Sequence, residues 1–386
     1  MKRWGWLSTG VALALTLVVL AVLGAREPRP GHDAGDVAAP LPMAPRATGP
    51  TGTTAAPPTV PAAASPPAWM RRMHPGEKPP QFVLFSFDGA ASKPHWDRIM
   101  PLAKQVNAHV TGLLSGVYLV PDADAARYTG PGHPRGSSSI GFGGSRADVA
   151  LRIEYLNAAI DAGHEIGTHY NGHFCVGDEP NVGTWTTDQW NRELDQFFAI
   201  VEQARQQGFR LDPAAVRGGR TPCLEGDWPQ AFPAMRGHGM AYDTSHVSLG
   251  VVWPFVHEGL WEFPMPEVRV PALGKQVVMM DFNLWYALNG AKDEPDRSGD
   301  YTRIVLDTYR SVYQAAFNGN RAPMVIGNHF NEWAGGAFGN AVEGFLGEVC
   351  AKPETVCATY TEVIRWMQLQ DPVVLEQLRR MPAARN

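Results

Sequence analysis

His169 and His173 stand four residues apart in the stretch Gly163-His-Glu-Ile-Gly-Thr-His-Tyr-Asn-Gly-His173, where an apolar strand breaks into glycine-rich loop. Histidine is the commonest protein ligand for borderline metals, and two imidazoles at this spacing reach one ion. The flanking glycines argue against a helical zinc-protease motif, which needs both histidines on one helix face and a Glu directly after the first. Here Tyr170 follows His169. Read alone, the spacing fits a metal pair and a pair of hydrogen-bonded loop histidines equally well.

Other reactive side chains close other apolar segments. Asp88 ends the run Gln81-Phe-Val-Leu-Phe-Ser-Phe87, Arg220 lies just past Ala215-Val-Arg217, Asp243 follows Met240-Ala-Tyr242, and His329 follows Pro323-Met-Val-Ile-Gly327. Further strands are expected at Val110 to Leu114, Glu165 to His169, Gly259 to Phe263 and Val277 to Met280. Helical spacing covers Trp96 to Val106, Ala147 to Ala162, Thr187 to Gln207, Tyr301 to Phe317 and Ala341 to Val349, with Thr186 or Thr187 as an N-cap and Gly163 and Gly208 as terminators. Strands alternating with helices imply a parallel sheet, and the size and count suit a (β/α) barrel, complete or open. In such barrels the active site lies at the C-terminal ends of the strands. Asp88, His169, Arg220, Asp243 and His329 all fall there.

The chain of 386 residues is one large domain or two ordinary ones, and 44% hydrophobic residues are ample for a core. A net charge of −5 gives no basic footprint, so nucleic acid is not an expected partner. Lys2 and Arg3 precede an apolar run from Trp4 to Ala25. At about 20 residues it is long enough to cross a bilayer, so residues 1–25 read as a signal peptide or an N-terminal membrane anchor. Either places the rest of the chain outside the cytoplasm, secreted or at the cell surface. Residues 26–80, dominated by Pro, Ala, Thr and Gly, hold too few large apolar side chains to offset their ordering entropy and read as a disordered stalk. Residues 81–370 form the expected catalytic domain, monomeric, and 371–386 a short tail.

The four cysteines fit an oxidising compartment and allow three connectivities. Cys350 and Cys357 bracket a short loop and are the natural local pair. That leaves Cys175 and Cys223, where a disulfide would tie together the loops beside the histidine pair and Arg220. Free thiols or a cysteine metal site compete, without a CxxC partner for either residue.

Five segments together resemble, in order, the five motifs of the polysaccharide deacetylase family (NodB homology, carbohydrate esterase family 4). They are Phe85-Ser-Phe-Asp-Gly89, Thr168-His-Tyr-Asn-Gly-His173, Arg220-Thr-Pro222, Tyr242-Asp-Thr-Ser245 and Ile326-Gly-Asn-His329. Trp261-Glu-Phe-Pro264 and Asn320-Arg-Ala-Pro323 are similar to segments of its chitin-deacetylase branch. The resemblance implies a distorted seven-stranded (β/α) barrel and a divalent metal, zinc first, held by His169 and His173. It implies Asp88 as base, Arg220 as the group orienting it, His329 as general acid, and Asp243 as the carboxylate paired with His329. Pro222 of the third motif and Trp333 near the last strand would meet the substrate.

One departure matters. The family normally has two consecutive aspartates, base then metal ligand, whereas here Gly89 follows Asp88. Asp88 as base leaves the metal one carboxylate short. Asp88 as ligand completes a His₂Asp set and passes the proton to Asp178, Glu225 or water. The implied function is an exported deacetylase of N-acetylated polysaccharide such as chitin or peptidoglycan. A non-catalytic carbohydrate-binding protein on the same barrel and a hydrolase of another amide or ester are the competing classes.

Overall fold

The computed structural model describes residues 58–63 and 65–386. The expected export segment and the first part of the expected stalk, 26–57, lie outside the described residues.

The folded region alternates strands and helices from its first element. Strands β1 (Gln81–Gly89), β2 (Thr111–Leu114), β3 (Glu165–Thr168), β4 (Gly218–Gly219) and β5 (Tyr242–Asp243) are interleaved with helices α1 (Lys93–Gln105), α2 (Arg146–Asp161), α3 (Thr187–Arg205) and α4 (Trp228–Gly237). Then come β6 (Val247–Leu249), β7 (Phe255–His257), β8 (Leu260–Glu262), β9 (Met265–Val270) and β10 (Lys275–Val278). After α5 (Asp281–Asn289) and α6 (Ser298–Asn318) the chain enters β11 (Met324–His329), α7 (Trp333–Val349), β12 (Thr355–Cys357), α8 (Tyr360–Leu369) and α9 (Pro372–Arg379).

Seven strands pair in parallel in the order β11-β1-β2-β3-β4-β5-β8, with β7 antiparallel on the far edge and β12 beside β1. This is the curled, open (β/α) barrel that the alternation implied. A smaller sheet, β10-β9-β6, reaches it through a bridge between Met280 and Gly327. Strand β1 is buried on both faces except at its last residue, which is why it reads as a continuous apolar run. Helices α2 and α3 begin where their sequences say they should, each with a reciprocal capping box: Ser145 with Asp148, and Thr186 with Gln189.

Three expectations need correction. The apolar triplet 215–217 is not a strand; Pro213–Ala215 makes a 3-10 turn and the strand is the pair of glycines after it. A Cβ on Gly219 would lie 2.3 Å from the Thr168 carbonyl oxygen, and one on Gly218 would lie 2.4 Å from the Tyr242 ring, so this crowded ladder takes glycine. The described part of the expected stalk, 58–80, is irregular but docked on the barrel. Val60 is buried, Trp69 meets Phe82 edge to face, and the Pro58 carbonyl accepts from the Trp261 indole. A few apolar side chains with ready slots hold what composition alone left loose. The tail is likewise folded: α9 buries Leu375 and Leu378, and Ala384 pairs with Val251.

Candidate active site

The strand ends set the geometry. In the β1–β11 ladder Asp88 is the register partner of His329, so base and acid candidates sit side by side at adjacent strand ends. His169 follows β3 and donates its own backbone N–H to the Leu114 carbonyl at the end of β2. Arg220 follows β4 and donates its backbone N–H to Thr168. The left-handed backbone at Tyr170 and His173 turns the loop back on itself after the strand, bringing the second histidine to the first. Their ring centroids are 5.1 Å apart.

Arg220 is the best-anchored side chain of the site. It is fully buried, and its Nη1 donates to Asp88 Oδ1 at 2.7 Å. Nη2 donates to Ser86 Oγ at 2.9 Å and to Tyr360 Oη at 3.0 Å, while Nε donates to the Thr244 carbonyl at 3.1 Å. With that many partners the guanidinium is fixed, and it fixes Asp88 in turn. Burial alone would push the Asp88 carboxyl up. The charge of Arg220, helped by His169 and His329, outweighs burial and holds it below the usual carboxylate range. Asp88 is therefore ionised at neutral pH.

The histidine pair is kept in the opposite state. His169 Nδ1 hydrogen-bonds the Arg220 carbonyl at 2.8 Å, so Nε2 carries the lone pair. That Nε2 is buried and has no hydrogen-bond partner among the described residues. Burial lowers the pKa of His169, and lowers that of His173 to about 3, so both rings are neutral. His173 Nδ1 lies 3.8 Å from Cys175 Sγ, leaving its Nε2 for a ligand. Two neutral imidazoles, one with an orphaned buried nitrogen, fit a divalent metal ion.

Cys175 and Cys223 form a disulfide, which ties the loop after His173 to the turn at Pro222. His173 and both sulfurs lie close enough to suggest a metal cluster, but the disulfide removes the thiolates. Cys350 and Cys357 form the second bridge, and the described residues include no free cysteine.

Asp243 is not where the resemblance placed it. Its carboxylate accepts from the backbone and hydroxyl of Ser245, at 2.8 and 2.7 Å. The carboxylate on His329 is Asp281, whose Oδ1 meets His329 Nδ1 at 2.7 Å while Oδ2 accepts from the His329 backbone at 2.7 Å. Burial disfavours a charged His329, and the Asp281 charge and hydrogen bond outweigh it, raising the imidazole's pKa. Sequence reasoning missed Asp281 although the signal was there: it closes Val277 to Met280 as the other acids close their strands.

The remaining candidates divide. Trp333 is half-buried with its ring 5.5 Å from that of His329, and it stacks on Trp285 at 4.8 Å. Pro222 is buried beside Arg220 in sequence, at the start of the turn held by the disulfide. Trp253 is buried in the core and donates to the Asn320 carbonyl. Of the alternative bases, Asp178 accepts from the Ser139 hydroxyl and Glu225 from the Val176 backbone N–H.

No family model matches the chain, and no curated protein matches it. Among solved structures it is similar to a protein from Mycobacterium smegmatis assigned as a polysaccharide deacetylase, at 16% identity over 81% of this chain and 97% of that one, TM-score 0.46. It is similar to an allantoinase at 14% identity over 79% and 94%, TM-score 0.46. A third is a carbohydrate esterase family 4 pseudoenzyme from Bacillus anthracis, at 13% identity over 82% and 72%, TM-score 0.40.

Proposed function

We propose that this chain is a metal-dependent deacetylase that hydrolyses acetyl groups, N-acetyl first, on a polysaccharide such as chitin or peptidoglycan outside the cytoplasm. The observation that carries the reading is a carboxylate and an imidazole at adjacent strand ends, each gripped by a partner of opposite charge. Arg220 donates to Asp88, and Asp281 pairs with His329 and raises its pKa.

That pair is what amide hydrolysis needs. Water attacking the acetyl carbonyl loses a proton, which the second oxygen of Asp88 accepts while Arg220 fixes the first. The amine leaves poorly unless protonated, and His329 delivers a proton to its nitrogen from the neighbouring strand. Asp281 then steadies the imidazole as it cycles between its two forms. A divalent metal held by His169 and His173 would supply Lewis-acid polarisation of the carbonyl and a more acidic water. Trp333, beside His329, offers a face for a sugar ring. Asp88 is read as the base, because its bond to Arg220 is the orientation that role requires. The two disulfides fit an oxidising compartment, and export follows the N-terminal segment, cleaved or retained as an anchor.

The test is acetate release from chitin oligomers, peptidoglycan and acetylated xylan by zinc-loaded protein, with Asp88→Asn as control. Release that falls at least about 10²-fold in the variant, with metal content unchanged, supports the reading. No release from any of the three sinks the enzyme claim in favour of a carbohydrate-binding protein, and metal lost from Asp88→Asn would make Asp88 a ligand.

A further inference from the structure

A second cluster of ionisable groups shares no residue with the site just described. Asp243 ends β5 and Glu262 ends β8, and the parallel register sets them directly opposite each other. His246 follows Asp243 by one turn of chain. Its Nδ1 lies 2.7 Å from Glu262 Oε2 and 3.9 Å from Asp243 Oδ2. One ligand atom from each of the three lies within 4.8 Å of the other two. All three are sealed from solvent, at 0%, 5% and 0% exposure for Asp243, His246 and Glu262.

The hydrogen bonds inside this cluster do not complete it. Glu262 Oε1 is buried without a hydrogen-bond partner among the described residues. An orphaned buried carboxylate oxygen costs about 1–3 kcal/mol or more. Burial pushes both carboxyls up, Asp243 to about 7 and Glu262 well above its usual range, so protons hold the cluster where a cation would serve. Trp228 and Phe232 wall the histidine, at ring distances of 4.3 and 5.8 Å, so water does not screen a charge there. Ser245 meanwhile grips Asp243 by both oxygens, the outer support that metal-ligating carboxylates have.

We propose that Asp243, His246 and Glu262 form a second, structural divalent-metal site, in which Glu262 offers both oxygens. One imidazole nitrogen and one oxygen from each carboxylate make a three-ligand set suited to zinc, with the second Glu262 oxygen as a longer fourth contact. Ligand atoms around a tetrahedral zinc stand roughly 3.3 Å apart. The separations of 2.7 and 3.9 Å from His246 Nδ1 straddle that value, so small side-chain shifts open the set for an ion that replaces a proton. The ion neutralises both carboxylates and gives Oε1 its partner. It would clasp the ends of β5 and β8 at the far side of the open barrel.

The test is metal counting on the full-length protein, loaded with zinc, dialysed, and read by mass spectrometry. The decisive variant leaves the cluster intact: His169→Ala/His173→Ala is expected to retain one zinc per chain. No zinc in that folded variant overturns the proposal. X-ray absorption on the same variant is expected to show nitrogen and oxygen neighbours, and a sulfur shell overturns it too. Glu262→Gln and His246→Gln in the otherwise unchanged chain are each expected to lose one zinc, and retention of the full count contradicts the assignment. Should His169 and His173 hold no metal, wild type and the double variant would carry the same single ion. That result removes the functional reading while leaving this site in place.

Discussion

The barrel carries two histidine–carboxylate pairs of equal length, His329 with Asp281 and His246 with Glu262, each 2.7 Å. The contacts match, yet the protons behave oppositely. Burial works against the charged ring in both. At His329 the charge and hydrogen bond of Asp281, with Asp88 behind them, overcome it and raise the pKa. At His246 burial prevails over the attraction of Asp243 and lowers the pKa. Access differs as well, with the His329 side chain 26% exposed and that of His246 6%. A histidine–carboxylate contact therefore does not by itself make a proton donor. The charges around it and the path to substrate do.

The sharpest way to break this comparison is to remove each ring. His329→Ala is expected to lower the rate of acetate release about 10²–10⁴-fold, the usual span for a general acid, while zinc content and melting temperature stay close to wild type. A loss under tenfold would take His329 out of the chemistry. His246→Ala should show the reverse profile. It leaves the Glu262 carboxyl buried without its hydrogen-bond partner, which costs about 1–3 kcal/mol, read as a lower urea midpoint. Equal midpoints for the two variants would mean that the pairs are not different in kind.

Asp281→Asn sharpens the comparison from the carboxylate side. The donor must be protonated to act, so activity falls as pH rises through the raised pKa of His329. Without the Asp281 charge the imidazole gives up its proton sooner, and the alkaline limb of kcat/KM moves to lower pH. At neutral pH the loss should be about 10²-fold or less, the low end of the acid's own span. An unmoved limb would show that Asp281 only holds the ring in place.

The same contrast marks what the sequence made legible. Asp88, His169 and His329 were readable because each ends an apolar run, and strand alternation alone puts such ends on one rim; Arg220 follows the glycine pair β4 and was legible only through its Arg-x-Pro segment. Asp281 obeys that rule, but the family resemblance offered Asp243 instead, and a short motif of small polar residues carries little specificity. The structure shows why the two are confusable: Asp243 ends β5 and Asp281 opens α5 just past β10, both receive backbone N–H groups, and both lie near a histidine. The anchors of Arg220 were out of reach, since Tyr360 is 140 residues away and is brought in by α8. The docked segment 58–80 was illegible for another reason. Composition measures how few apolar residues it has, not whether Val60 and Trp69 have somewhere to go.

Buried His164 tests the comparison from its bare end. It has no hydrogen-bonded carboxylate: Nδ1 accepts from the Val110 backbone N–H at 3.2 Å, Nε2 has no hydrogen-bond partner among the described residues, and Trp96 packs 5.7 Å away. Burial first, and the neighbouring His109 second, push its pKa down to about 4. The sign follows directly. Between the unfolded value near 6.5 and about 4, only the unfolded chain takes up the proton, so stability falls as pH drops through that window. From pH 6.5 to 5 this residue alone should cost about 2 kcal/mol. His164→Asn keeps an acceptor for Val110 and cannot titrate, so its urea midpoint should fall less steeply over the same range. Parallel slopes for variant and wild type would mean that His164 takes its proton while folded, and that a buried histidine in this barrel needs no carboxylate to be charged.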